Sequence, residues 1–209
     1  MFFVGFRSDV DAEWSFPEAT HSAGALRATQ DDGTYWDRHK VAKKNQVVIK
    51  AAKDSDTSLK PWRTVRDSLY GTRNPLPKPT VNGSTKFLDH VLRPGARSYP
   101  GHTGSYIDAP AKALKAGVHG VPGGENMLRD VDGSVRYFTV REAARLQTFP
   151  DRYALHGPWS EAMRQLGNAV PALLAETVAL SVREHLDLAT LRGRQALARD
   201  RRSAKEATA

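Results

Sequence analysis

Two hundred and nine residues, 40% apolar and 26% charged with 16 Gly and 12 Pro, describe one soluble globular domain or one and a half. That is too short for a large enzyme and too apolar for a chain disordered throughout. Lys and Arg number 31 against 23 Asp and Glu, a net charge of +8 that favours a polyanionic partner, and the absence of cysteine excludes disulfides, thiolate metal sites and a thiol nucleophile in this chain.

No run approaches the ~18 consecutive apolar residues of a membrane span. The opening segment, residues 1–6, runs straight into Arg7-Ser8-Asp9 without a basic leader, so it is not expected to act as a signal peptide. The expectation is a soluble, basic, cytoplasmic protein. Its charge is uneven. Residues 1–37 hold two basic and seven acidic side chains, net −5; residues 38–97 hold fourteen and four, net +10; residues 98–209 are net +3. The middle block runs from Arg38 through Lys44, Lys53, Arg63 and Lys86 to Arg97, with Trp36, Trp62, Tyr70 and Phe87 interleaved or beside it. Lys and Arg neutralise phosphates and release counterions, so such a block is the footprint of nucleic-acid binding. A solvated charged surface is the alternative that charge alone leaves open.

In chain order, the apolar run Phe2 to Phe6 predicts a short interior strand. From Ser8 to about Gly133 no helical or strand period is sustained. Turn signals such as Asn74-Pro75, Asn82-Gly83, Pro94-Gly95 and Pro122-Gly123-Gly124 predict short strands and loops, with Val47-Val48-Ile49 and Thr64-Val65 as strand pieces. Gly101-His102-Thr103-Gly104-Ser105 lacks the lysine of a phosphate-binding loop and reads as a turn. After Gly133 helices are expected. Thr139-Val140-Arg141-Glu142 fits a capping box, opening a helix that Phe149-Pro150 stops. A second helix, about Ser160 to Leu166, is expected to end on Gly167 as a left-handed cap. A third is expected from about Asn168, with Pro171 in its first turn and Val170, Leu173, Leu174, Val178, Val182 and Leu186 on one buried face. Beyond Leu188 a fraying, solvated basic tail is expected. No histidine pair has ligand spacing, so no metal site is expected.

Residues 136–151, Arg-Tyr-Phe-Thr-Val-Arg-Glu-Ala-Ala-Arg-Leu-Gln-Thr-Phe-Pro-Asp, resemble the ninth motif of cytosine-5 DNA methyltransferases, and Gln165-Leu166-Gly167-Asn168-Ala169-Val170-Pro171 resembles the tenth. Phe2 to Arg7 is similar to the strand of motif eight, and residues 110–117 resemble the stretch before a base-reading loop of the target-recognition domain. The resemblance implies an α+β fragment. Residues 1–9 would be the last core strand, 10–135 an irregular short-strand target-recognition domain, and 136–188 the helices that complete a doubly wound α/β methyltransferase domain. Residues 189–209 would be a basic tail. A start inside the motif-eight strand is the pattern expected of a fragment.

The resemblance also implies what other motifs must supply. Family members bind S-adenosylmethionine in an α/β domain N-terminal to motif eight and attack a flipped cytosine with a cysteine that follows a proline. This chain has no cysteine, so it is not expected to methylate DNA alone. Three readings stay open: one subunit of a split enzyme whose separate partner chain carries the catalytic core, a truncated fragment, or a non-catalytic DNA-binding module. Double-stranded DNA is the expected partner, and S-adenosylmethionine the cofactor, bound mainly by the earlier motifs. Asn168 and Ala169 are the expected cofactor contacts, at a helix start whose free amides attract a carboxylate. Arg97, Lys112, Lys115 and His119 are the expected DNA contacts. Ala113 stands where the family usually has a threonine on the backbone phosphate. Arg141, Arg145 and Gln147 are expected to brace the recognition domain rather than touch DNA.

Overall fold

The computed structural model describes residues 2–47, 56–116 and 124–206, without the side chains of 200–202 and 204–206. The chain divides into two compact units, residues 19–172 and residues 1–18 with 173–209. The larger unit opens with strand β1 (His21–Ser22) and helix α1 (Ala23–Asp31), whose first turn is capped by Ser22 Oγ accepting from the Ala25 amide at 3.0 Å. Helix α2 (Thr34–His39) follows a left-handed Gly33, φ +90°. Leu26, Tyr35 and Trp36 close a small core there.

Strand β2 (Lys60–Pro61) pairs in parallel with β1, His21 opposite Lys60. Helix α3 (Val65–Leu69) comes next, and Thr64, expected in a strand, is its N-cap. Its hydroxyl accepts from the Asp67 amide at 3.1 Å while the Asp67 carboxylate accepts from the Thr64 amide at 2.9 Å. This reciprocal pairing satisfies two orphan amides and overrides the β-branched propensity of Thr64-Val65. Val47 lies in no strand, and Val48 and Ile49 fall outside the described residues.

Strand β3 (Ser105–Tyr106) pairs in parallel with β4 (Met127–Arg129), which pairs antiparallel with β5 (Val135–Tyr137). The turn expected over Gly101–Ser105 lies earlier, at residues 99–102 with Tyr99 bridging His102, and Ser105 belongs to β3. Gly104 has φ +78°, and a Cβ there would lie 3.2 Å from the Met127 carbonyl oxygen, which leaves glycine as the residue that fits. Helix α4 (Val140–Leu146) begins on the expected capping box, with both halves formed between Thr139 and Glu142. Helix α5 (Trp159–Asn168) packs its Ala162, Met163 and Leu166 on Phe138, Val140, Ala143 and Ala144 of the main core, which also takes in Val65, Leu69 and Leu128.

Three expectations for the C-terminal half are corrected. Gly167 is inside α5, not a left-handed cap. Asn168 is the last residue of α5, and the next helix, α6 (Ala172–Glu206), starts four residues later, just after Pro171. The residues after Leu188 continue α6 instead of fraying, since Ala, Leu and Arg are strong helix formers and predominate there, with Gly193 the weakest position before the helix ends.

In the smaller unit the segment Phe2–Phe6 forms no strand; among the described residues no other strand pairs with it, and Phe3 is 91% exposed. A strand needs a neighbour's backbone groups, and an apolar run cannot provide them for itself. The Phe2, Trp14 and Phe16 rings cluster, and Trp14 Nε1 donates to Ser181 Oγ of α6 at 3.1 Å. Val178 is buried on that face of α6, with Val182 and Leu186 half-buried, while Leu173 and Leu174, expected on the same face, are exposed. No described helix is long and apolar enough to cross a membrane.

Candidate functional site

The stretch Pro110–Ala116 is approached from Asp108, which is buried and held by four hydrogen bonds from three side chains. Tyr35 Oη donates to its Oδ1 at 2.8 Å, and Arg66 forms a two-point pair with the carboxylate at 2.6 and 3.0 Å. Gln30 Nε2 donates to its carbonyl oxygen at 2.9 Å. Burial pushes the Tyr35 phenol far up, so it stays a donor. Alongside, the Val65 and Arg66 amides donate to the Ala109 and Ile107 carbonyls at 2.9 and 2.8 Å.

From this anchor the chain runs on with no regular secondary structure as far as Ala116. The Lys112 amide donates to Ser105 Oγ at 3.0 Å, and Lys112 Nζ donates to Thr103 Oγ1 at 3.2 Å. Leu114 packs on the main core. Lys115 is exposed and its ammonium pairs with Glu125 at 2.9 Å, which holds the Glu125 carboxyl below the usual carboxylate range. Arg97 is exposed two residues before Tyr99, whose bridge to His102 leads to Thr103. Lys112 and Lys115, three residues apart and both exposed, therefore belong to one region. His119 lies outside the described residues.

Helix α4 ties other loops of the larger unit to its core. Arg141 is fully buried and donates to the carbonyls of Leu88, Pro150 and Tyr153 at 2.9, 3.3 and 2.7 Å, with Asp89 Oδ2 at 3.4 Å. Arg145 donates to the Leu69 and Asn74 carbonyls at 3.2 and 2.7 Å and pairs with Asp151 at 2.8 and 2.6 Å. Its guanidinium lies 5.2 Å from the Phe87 ring centroid. Arg136 and Glu142 make a two-point pair at 2.6 Å each. Arg141 and Arg145 thus hold loops to the core, the structural role expected of them from the sequence. Of the interleaved aromatics, Trp36 and Phe87 are buried in the cores, Tyr70 is half-buried and Trp62 is exposed.

Asn168 is exposed and Ala169 half-buried at the C-terminal end of α5. A helix C-terminus carries partial negative charge, so the free-amide argument for a carboxylate does not apply at these two residues. By themselves they do not fit the methionine end of S-adenosylmethionine, and no chemical step is assigned to them. Gln147 sets the turn they occupy. Its Nε2 donates to the Leu166 and Ala169 carbonyls at 2.7 and 3.4 Å, and its carbonyl accepts from the Ala172 amide at 3.0 Å. Sequence reasoning missed Ser105 and Asn126 near the lysines; a lone Ser or Asn carries no pattern until the fold shows what it bonds.

The fold is a mixed α+β architecture of small sheets and C-terminal helices, in which the arginines of α4 hold distant loops to the core. A model described as C-5 cytosine-specific DNA methylase matches residues 1–184, and the chain belongs to that family. Among relatives, it is 35% identical to the Type II methyltransferase M.AplI of Arthrospira platensis over 136 residues, which are 64% of this chain and 39% of that protein. It is 26% identical to the Type II methyltransferase M.NgoPII of Neisseria gonorrhoeae over 191 residues, 90% of this chain and 50% of that protein. A shorter match, 52% identity over 52 residues, covers 25% of this chain and 12% of the Type II methyltransferase M.Eco47II of Escherichia coli. The chain spans half or less of the length of these relatives.

Proposed function

We infer that this chain is the C-terminal part of a DNA (cytosine-5)-methyltransferase, a fragment or the subunit of a split enzyme. The complete enzyme transfers a methyl group from S-adenosylmethionine to carbon 5 of a flipped cytosine in duplex DNA, in a type II restriction-modification setting. Residues 10–135 are the target-recognition domain, 136–188 the motif nine and ten helices of the catalytic domain, and 189–209 a basic extension. The observation that carries this reading is a family match over residues 1–184 in a chain without cysteine. The nucleophile and most of the cofactor pocket belong to motifs outside this sequence, so the work of these residues is to bind and orient DNA through Arg97, Lys112, Lys115 and His119.

The core of residues 19–172, closed within that unit, also supports a second reading, a non-catalytic DNA-binding module. One assay tests both. The chain alone, incubated with labelled cofactor and cytosine-containing duplex, is expected to incorporate no methyl. Added to a cysteine-bearing core chain with the earlier motifs, it is expected to restore transfer. Incorporation by the chain alone overturns the first reading; failure to complement, with duplex binding intact, favours the second.

A further inference from the structure

The residues that carry Lys112 and Lys115 are held by side chains from two other places in the fold and packed against the backbone of a third, where a sheet would normally supply backbone partners. The Lys112 amide uses the hydroxyl of Ser105, which is 1% exposed. Lys115 is clamped on both of its backbone groups by one amide side chain. Its N–H donates to Asn126 Oδ1 at 3.4 Å, and Asn126 Nδ2 donates to its carbonyl at 3.1 Å, with Asn126 itself 1% exposed. Ala116 then passes over Gly167 of α5. A Cβ at Gly167 would stand 2.6 Å from the Lys115 carbonyl carbon and 2.7 Å from Ala116 Cα, so the backbone can approach α5 only because that residue is glycine.

We propose that Ser105, Asn126 and Gly167 are positioning residues for DNA: they fix the backbone of residues 112–116 so that Lys112 and Lys115 stand outward together to meet phosphate. Leu114 packs into the core between them, so the two ammoniums cannot turn inward without unpacking it. A flexible lysine is a point charge on a long stem, and holding its backbone removes part of the freedom it would lose on binding. The proposal rests on the DNA-binding reading above but names residues that carry no charge. That makes it separable from electrostatics: neutral substitutions at 105, 126 and 167 leave the field of the protein unchanged.

The test is a double-mutant cycle on the full chain, read by fluorescence anisotropy with a labelled duplex across a salt series. Lys112→Ala/Lys115→Ala is expected to flatten the slope of log affinity against log salt by about 1.8, for two phosphates lost. Asn126→Ala is expected to flatten it in the same direction, with duplex affinity at low salt down roughly tenfold, and to do nothing further in the lysine-free background. Gly167→Ala repeats the result where it folds; Asn126→Ala serves where it does not. Independently of DNA, amide exchange at Lys115 should speed up in Asn126→Ala while α4 stays protected. Unchanged exchange at Lys115, or equal losses of affinity in both backgrounds, overturns the positioning role. A wild-type chain that binds no duplex overturns the functional reading instead, whatever the exchange shows.

Discussion

Asp67 gathers more partners than most residues in this chain. His39 Nε2 lies 2.8 Å from its Oδ1, Arg38 Nη2 donates to the same atom at 2.9 Å, and the Thr64 amide and hydroxyl donate to Oδ2, both at 2.9 Å. Burial works to raise the carboxyl, but these hydrogen bonds and the Arg38 charge outweigh it and hold it down at about 2. An unfolded aspartate sits near 3.9, so the folded value is the depressed one, and the stabilisation is complete above about pH 4 and lost as pH falls through about 2. Asp67→Asn should cost ~2–3 kcal/mol at neutral pH and remove that part of the acid limb, as measured by denaturant titration at pH 7, 4 and 2. Identical acid limbs for the two proteins would contradict this. Glu125 acts at the same scale in the other direction. Its carboxylate occupies the Lys115 ammonium, so Glu125→Gln should tighten duplex binding roughly two- to fivefold at low salt. Weaker binding in that variant would show that Glu125 presents the lysine rather than competing for it.

At the scale of elements, α4 carries much of the bracing of the larger unit. Its capping box was legible because Thr-x-x-Glu is a local pattern with a local reason. The work of its arginines is long-range: Arg145 holds the Leu69 and Asn74 carbonyls, more than seventy positions away along the chain. Arg145→Ala should destabilise residues 19–172 by ~3–5 kcal/mol, since it leaves Asp151 and buried carbonyls unpaired. Arg145→Lys should recover only part of that, because an ammonium cannot reproduce the planar fork. Full recovery in thermal melts would mean that charge alone matters there. Helix α6 is the opposite case. Leu173, Leu180 and Leu191 recur at helical spacing and are exposed, Leu180 at 57%. Such a stripe favours association. The chain is expected to self-associate with rising concentration in sedimentation velocity, and Leu180→Glu with Leu191→Glu to shift it toward monomer. A concentration-independent monomer would show the stripe to be satisfied without a partner.

For the molecule as a whole, the basic block between Arg38 and Arg97 is exposed along most of its described length, and Arg38 and Arg66 are the members committed to Asp67 and Asp108. Duplex binding should therefore fall steeply and linearly in log affinity against log salt between about 50 and 200 mM. A flat response would place the block away from phosphate. The aromatics beside it carry less of this than their sequence spacing suggests, since Trp36 and Phe87 are core residues while Trp62 is exposed and available.

The sequence by itself determined the family, through two motifs whose order and detail lie within residues 136–171, and it determined that this chain carries no thiol nucleophile. It also determined the α4 cap and the basic charge of the middle block, because each is a property of neighbouring residues or of simple counting. Only the tertiary structure decided that Phe2–Phe6 is not a strand here, since pairing depends on residues elsewhere. It likewise decided that Thr64-Val65 opens a helix, where the Asp67 side chain competes successfully with β propensity. Gly167 shows the division most clearly. Local rules make a glycine near a helix end a left-handed cap, yet it is helical, and what requires glycine is the Lys115–Ala116 backbone arriving from fifty residues away. Contacts of that kind are set by packing, which has no period and no spacing in the chain.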